Sequence, residues 1–179
     1  MKIAENSIFH IYNRGNQQQP IFFCSENYDY FLRKIKYHIL PVCDILEYCL
    51  MPNHFHFIIK MDERSVEIVA KTTRDIAIHA FSKNWRILLS SYTRGLQKQQ
   101  GFTGSLFQQK TKAKLITRIV NDKVESERYL QNCKAYLINN PVAAGLVDHP
   151  REWQYSSIHD THDLIHSPYG SYSSYDLES

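Results

Sequence analysis

The chain has 179 residues, 43% of them hydrophobic and 13% aromatic, twelve of those tyrosines, and a formal net charge of +3. That is chain for one domain with an appendage, and apolar content enough for a packed core. No run of about 18 apolar residues and no apolar leader is present, so no membrane partner is expected. Cys24, Cys43, Cys49 and Cys133 show no Cys-x-x-Cys spacing and read as reduced, mostly buried thiols of a cytoplasmic protein.

Charge is unevenly placed. Residues 76–121 hold eight Lys or Arg and no Asp or Glu, whereas 148–179 hold six acids against Arg151 alone. This polarity points to a polyanion partner for the middle of the chain. The plainer alternative is a solvated, mildly basic surface.

In chain order, Ile8–Gly15 reads as a strand covered on both faces, because Ile8, Phe9, Ile11 and Tyr12 leave neither face polar. Ser25 is expected to cap a helix over about 26–40, with Glu26 and Asp29 in its first turn. Its apolar positions Tyr28, Phe31, Leu32, Ile35 and Ile39 recur at helical steps, and Pro41 follows. Strands are predicted over 45–50 and 54–61, parted by Met51-Pro52-Asn53. Strand, helix, strand, strand is the first part of a split βαβ arrangement. A second helix is predicted over about 66–85 on Val69, Thr73, Ile76, Ala80 and Phe81, followed by a glutamine- and glycine-rich loop over 94–104. Ser105–Lys110 and Lys112–Ile116 read as short strands. Asn121-Asp122 is expected to cap a third helix over about 123–139, closed by Pro141. Past Trp153 the chain is polar and rich in Ser and Tyr, a weakly ordered tail that docks or floats.

Residues two apart on a strand share a face, so His54 and His56 project together while Phe55 and Phe57 point into a core. Two adjacent imidazoles are half of a divalent-metal site; the plainer reading is a pair of half-buried histidines bonded to neighbours. On the third helix Tyr136 and Asn140 lie one turn apart on one face. The phenol is a usable nucleophile, and the amide oxygen is an acceptable third ligand for a hard ion. Such a tyrosine is as readily core, and an Asn before Pro as readily a cap. Lys110, Lys112 and Lys114 alternate, and with Arg14 and Arg118 they are candidates for phosphate contacts. Gln108, Gln109 and Trp85 are candidates for base contacts, Trp85 being equally a core residue.

Three pieces occur in order: Met51-Pro52-Asn53-His54-Phe55-His56, then Tyr136-Leu137-Ile138-Asn139-Asn140-Pro141-Val142 running to Gly145-Leu146-Val147, then Trp153-Gln154-Tyr155-Ser156-Ser157. Together they resemble the single-tyrosine HUH transposases, and the middle piece is most similar to the REP-associated tyrosine transposases. The resemblance spans about residues 8–157. It implies an α+β fold of the HUH endonuclease type, with a ferredoxin-like split βαβ core and an antiparallel central sheet. The nuclease domain is then expected over 1–147, with 148–179 as a C-terminal extension. It implies cleavage of single-stranded DNA at a hairpin through a 5′-phosphotyrosine link, reversed on another end to transfer the strand. His54 and His56 match the family's metal ligands, Tyr136 its nucleophile, and Asn140 the position that completes a Mg2+ or Mn2+ site. A link that conserves phosphodiester energy needs no ATP, and no phosphate-binding Gly-rich loop is present. Three alternatives stay open: a hairpin-binding protein that does not cleave, a replication-initiator or relaxase-type nickase using Tyr129 as well, and a hydrolase whose nucleophile is water. A homodimer and a monomer are both compatible with the sequence.

Overall fold

The computed structural model of the protein describes residues 3–121 and 123–165. It is a mixed α/β fold on one antiparallel sheet. The strands are β1 (Ser7–Arg14), β2 (Asp44–Met51), β3 (His54–Met61), β6 (Lys112–Val120) and β7 (Lys123–Val124), in the order β2-β3-β1-β6-β7. Each neighbouring pair is antiparallel. Helices α1 (Ser25–His38) and α3 (Ala80–Gln100) cover one face and α4 (Glu127–Ala143) the other.

The doubly apolar strands have a direct consequence. Phe9, Ile11, Phe55 and Phe57 enter the core under α1 and α3, while Ile8 and Ile58 enter the core under α4. α1 supplies Tyr28, Phe31, Leu32 and Ile35 to the first core, as its periodicity requires. Its cap position is Cys24 rather than Ser25, and no side chain caps it there. Ser25 instead bonds Glu26, and the Phe23 N–H donates to the Asn27 side chain. The helix stops at His38, and Pro41 sits in a short 3-10 turn.

The middle of the chain differs from the sequence prediction. Of the helix predicted over 66–85 only the last part, from Ala80, is helical; before it come a single turn, α2 (Glu63–Val66), and a hairpin of β4 (Ile68–Lys71) and β5 (Ala77–His79). Ile68 and Ile76 are 58% and 61% exposed, so the apolar periodicity there points at no core. β-branched Ile68 and Val69 favour a strand, and the Thr72 hydroxyl accepts from Arg74 and Ile76 N–H to make the turn. The expected loop over 94–104 is helical as far as Gln100. Trp85, Leu88, Tyr92 and Leu96 form the buried stripe of α3, which ends at Gly101 in the left-handed conformation. Gly95 lies inside α3 because a Cβ there would meet Tyr30 of α1 at 3.0 Å; it permits close packing rather than breaking the helix.

Ser105–Lys110 is not a strand; Phe107 makes one bridge to Gly15. Lys112–Ile116 belongs to the longer β6. α4 begins at Glu127 with Ser126 at its cap position, since Lys123 and Val124 pair with β6. The expected cap residue Asp122 lies outside the described residues. Pro141 sits inside the last turn of α4, which continues to Ala143. Residues past Trp153 dock as far as Ile165. The Trp153 indole donates to Leu50 O, Tyr155 stacks on Tyr28 at 3.6 Å, Ser156 bridges Cys49 and Ile165 bridges Ile45. The rest of the predicted tail, 166–179, lies outside the described residues. Among the described residues, no helix is long and apolar enough to cross a membrane.

Candidate active site

Register sets the site. In β1 and β3, Arg14 pairs with His54 and Tyr12 with His56; in β6, Lys112 pairs with Tyr12 and Lys114 with His10. These side chains share the face that α4 covers. α4 is held there by Leu130, Leu137 and Ile138 against Ile8, Leu46 and Ile58. It thereby sets Tyr136 and Asn140 over the histidines. The four residues line one cavity of about 280 Å³, together with Arg14, Lys112 and Gln108.

Each histidine is oriented from behind. The His54 Nδ1 lies 2.6 Å from the Asn53 amide oxygen, which only accepts, so Nδ1 carries the proton and Nε2 keeps its lone pair. The His56 Nδ1 lies 2.8 Å from Nε2 of His10, so its Nε2 is the nitrogen left for the cavity. His10 was not among the site residues read from the sequence. Its signal was present: it stands two residues from Tyr12 on the same strand, but only register shows that the neighbouring strand brings His56 to it.

Burial pushes the imidazoles toward their neutral, ligand-competent form. His56 is lowered to about 3, by burial first and then by His10 and His54; His10 is lowered to about 4, by burial and then Lys114. His54 is lowered by burial and by Arg14. As pH falls from 6.5 toward about 4, the unfolded chain takes up protons at His10 and His56 that the folded chain refuses, so stability is lost in that window. His10→Gln removes one of these groups while keeping a partner for His56. Its urea midpoint is therefore expected to fall less steeply than that of the wild type across this range; parallel curves would rule the histidine pair out as the cause.

Asn140 is oriented by Pro141. Proline has no N–H to give the Leu137 carbonyl one turn back. The Asn140 Nδ2 lies 3.4 Å from that carbonyl and 2.9 Å from Tyr136 O. With its nitrogen turned onto the helix, the amide presents its oxygen away from it. Tyr136 is 62% exposed, and its ring stands edge-on to His56 with centroids 6.3 Å apart. The atoms open to a cation are thus two imidazole nitrogens and one amide oxygen, a donor set suited to a hard or borderline divalent ion with positions to spare. Among the described residues no cluster of three or more His, Cys, Asp or Glu is arranged to hold a metal.

The expected DNA contacts divide. Arg14 and Lys112 line the cavity, and Arg14 Nε is buried with no hydrogen-bond partner among the described residues. Lys114 points to the far side of Tyr136, where its ammonium sits 5.9 Å from the Tyr129 ring. Tyr129 shares that second cavity with His10 and Tyr136, and does not line the one that holds His54. Lys110 and Gln109 line a third cavity against α3, and Gln108 lines both that and the first. A bulge between Ile8 and Phe9 shifts the register of β6, so Arg118 pairs with Ser7 and turns to the face opposite Lys112 and Lys114. Trp85 is core, 3% exposed.

Among solved structures, the chain is similar to a REP-associated tyrosine transposase bound to a REP hairpin. The TM-score is 0.59 at 14% identity, over 97% of this chain and 89% of that one. The fold is shared with a tyrosine transposase. No family model matches the chain, and no curated protein matches it.

Proposed function

We propose that the protein is a metal-dependent single-strand DNA endonuclease and strand transferase acting at DNA hairpins, with Tyr136 as its nucleophile. The observation that carries this reading is the meeting of Tyr136, Asn140, His54 and His56 in one cavity beside Arg14 and Lys112. The likeness to a hairpin-bound transposase supports the choice of DNA. We read β6-β1-β3-β2, with α1 and α3 on one face, as a ferredoxin-like core, and assign 1–147 as the nuclease domain with 148–179 as its extension.

In this reading Arg14 and Lys112 neutralise the bound phosphate, and the buried Arg14 Nε acquires its missing acceptor. Tyr136 Oη attacks phosphorus. Its proton passes to water, which reaches the exposed side chain, the P–O3′ bond breaks, and the departing 3′ oxygen takes a proton up. The 5′ phosphate is left on the tyrosine. His54, His56 and Asn140 would hold a Mg2+ or Mn2+ ion, which would supply positive charge beside the phosphate. Attack by a second 3′-hydroxyl reverses the step and joins strands without ATP.

The test is cleavage of end-labelled hairpin DNA, taken from sequence flanking the gene, with manganese or with chelator. His54→Ala and His56→Ala are each expected to lower metal-dependent cleavage by about 100-fold or more while hairpin binding persists. Undiminished cleavage by both variants would remove the metal assignment. A second reading, hairpin binding without cleavage, is favoured by the lack of any carboxylate among the described residues that line the cavity. It predicts tight binding and no cut strand under every metal condition.

A further inference from the structure

α4 carries Tyr136 and Asn140, yet neither side chain holds the helix in place. Tyr136 touches His56 only edge-on, and the Asn140 amide is turned back onto its own helix. Among the described residues, no side chain caps α4 at Ser126. Both groups therefore inherit their position from the way α4 sits on the sheet. The buried stripe of α4 is Leu130, Lys134, Leu137, Ile138 and Pro141, so a lysine stands where the helical period calls for an aliphatic side chain. We propose that the buried pair of Lys134 and Glu47 fixes the register of α4 against the sheet, which makes both of them positioning residues for Tyr136 and Asn140. The proposal rests on the reading of Tyr136 as the nucleophile.

Three observations support it. The first is that β2 is bent to aim Glu47. A bulge between Ile45 and Glu47 shifts β2 against β3. Ile45, Tyr48 and Leu50 lie in the core under α1 and α3, while Leu46, Cys49 and Met51 lie in the core under α4. Strict alternation from Ile45 would turn Glu47 toward α1. With the bulge it shares the α4 face with Cys49 and Met51, and there it meets Lys134.

The second observation is that the pair is a poor stabiliser. The two groups are 3.7 Å apart, and among the described residues Glu47 Oε1 accepts no hydrogen bond. A buried pair so loosely joined gains little over two apolar side chains of similar size. Its value lies in the arrangements it forbids. The third is that the remaining contacts do not choose a register. Leu130, Leu137 and Ile138 meet Ile8, Leu46 and Ile58, aliphatic side chains of nearly one size that pack acceptably in more than one way. A slip of one helical turn, about 5.4 Å, would carry Tyr136 and Asn140 away from the histidines and leave two buried charges unpaired. Ser157 donates to the other Glu47 oxygen, so the anchor is itself held.

The experiment uses the full chain carrying Glu47→Gln and Lys134→Met together, which buries no charge. In the first measurement, without DNA or metal, 3-fluorotyrosine placed at position 136 alone is observed by 19F NMR. The wild type is expected to give one sharp resonance and the double variant a second or a broadened one. In the second, hairpin DNA from sequence flanking the gene is added with manganese. The rate of adduct formation from bound DNA is expected to fall about ten-fold or more in the double variant, with hairpin affinity in chelator within about two-fold of the wild type. Lys134→Arg keeps the charge and is expected to lie nearer the wild type than the double variant does in both measurements; the reverse order would overturn the inference. So would a double variant with an unchanged single resonance and adduct formation within about two-fold of the wild type, the result of a pair that serves stability alone. A wild type that forms no adduct with any metal would overturn the proposed function, and the resonances alone would then decide the register.

Discussion

Tyr136→Phe is expected to bind hairpin DNA within about two-fold of the wild type and to form no covalent adduct, with cleavage down by about 10^3-fold or more. The change removes one oxygen and nothing else. Tyr136 is 62% exposed and contributes only a ring edge to the His56 contact, so neither the fold nor the α4 packing depends on its hydroxyl. The neighbouring tyrosine is poorly placed to replace it. Tyr129 lines the cavity on the Lys114 side, away from His54 and Asn140. Chemistry that persisted in Tyr136→Phe with an adduct would move the nucleophile to Tyr129; cleavage that persisted without one would indicate attack by water.

Lys134→Met is expected to cost about 3–5 kcal/mol of folding stability. Lys134 of α4 and Glu47 of β2 form an ion pair at 3.7 Å, with side chains only 3% and 1% exposed. Ser157 donates to the other carboxylate oxygen, so the pair ties α4, β2 and the segment after Trp153 into one unit. Removing the cation alone leaves the buried Glu47 to bear an uncompensated charge or to take up a proton at neutral pH. The double variant Glu47→Gln, Lys134→Met buries no charge and is expected to recover most of the loss. Urea denaturation of the three variants decides this. A Lys134→Met protein within about 0.5 kcal/mol of the wild type would show the pair to be energetically idle.

The same pair has a signature in pH. Burial raises the Glu47 carboxyl from 4.5 to about 7, against the pull of Ser157 and Lys134, and burial lowers Lys134. The folded carboxyl therefore keeps its proton to about pH 7, while the unfolded one loses it from about 4.5. Stability contributed by Glu47 declines as pH rises through that window, the reverse of the His10 and His56 effect. Glu47→Gln removes the Glu47 slope and leaves the histidine slope.

The first sheet strands were legible because burial on both sides leaves a plain mark in sequence: Ile8 to Tyr12 and Ile45 to Leu50 have no polar face; α1 was legible from its single apolar stripe at helical steps. The shared face of His54 and His56 follows from period two alone, and the shared face of Tyr136 and Asn140 from the helix period. The β4–β5 hairpin left no such mark. Ile68, Val69 and Ile76 are exposed, so their helix-like spacing was accidental. Gly95 looked like a break because a glycine inside a helix and a glycine in a loop read alike until Tyr30 is seen against it. His10 and the opposed direction of Arg118 depend on strand register and on one bulge, neither of which local sequence encodes. The orientation of Asn140 is intermediate: Pro141 was visible, but that it continues α4 and leaves the Leu137 carbonyl for the Asn140 amide was not.

The residue at which DNA becomes attached to the protein distinguishes the mechanisms. Wild-type protein incubated with flanking-sequence hairpin DNA and manganese, then digested and examined by mass spectrometry, gives the attachment site directly. The expected result is a 5′-phosphate-linked nucleotide on the peptide carrying Tyr136, absent with chelator and absent in Tyr136→Phe. DNA strands cut with no protein-linked product, or linked through any other residue, would contradict it.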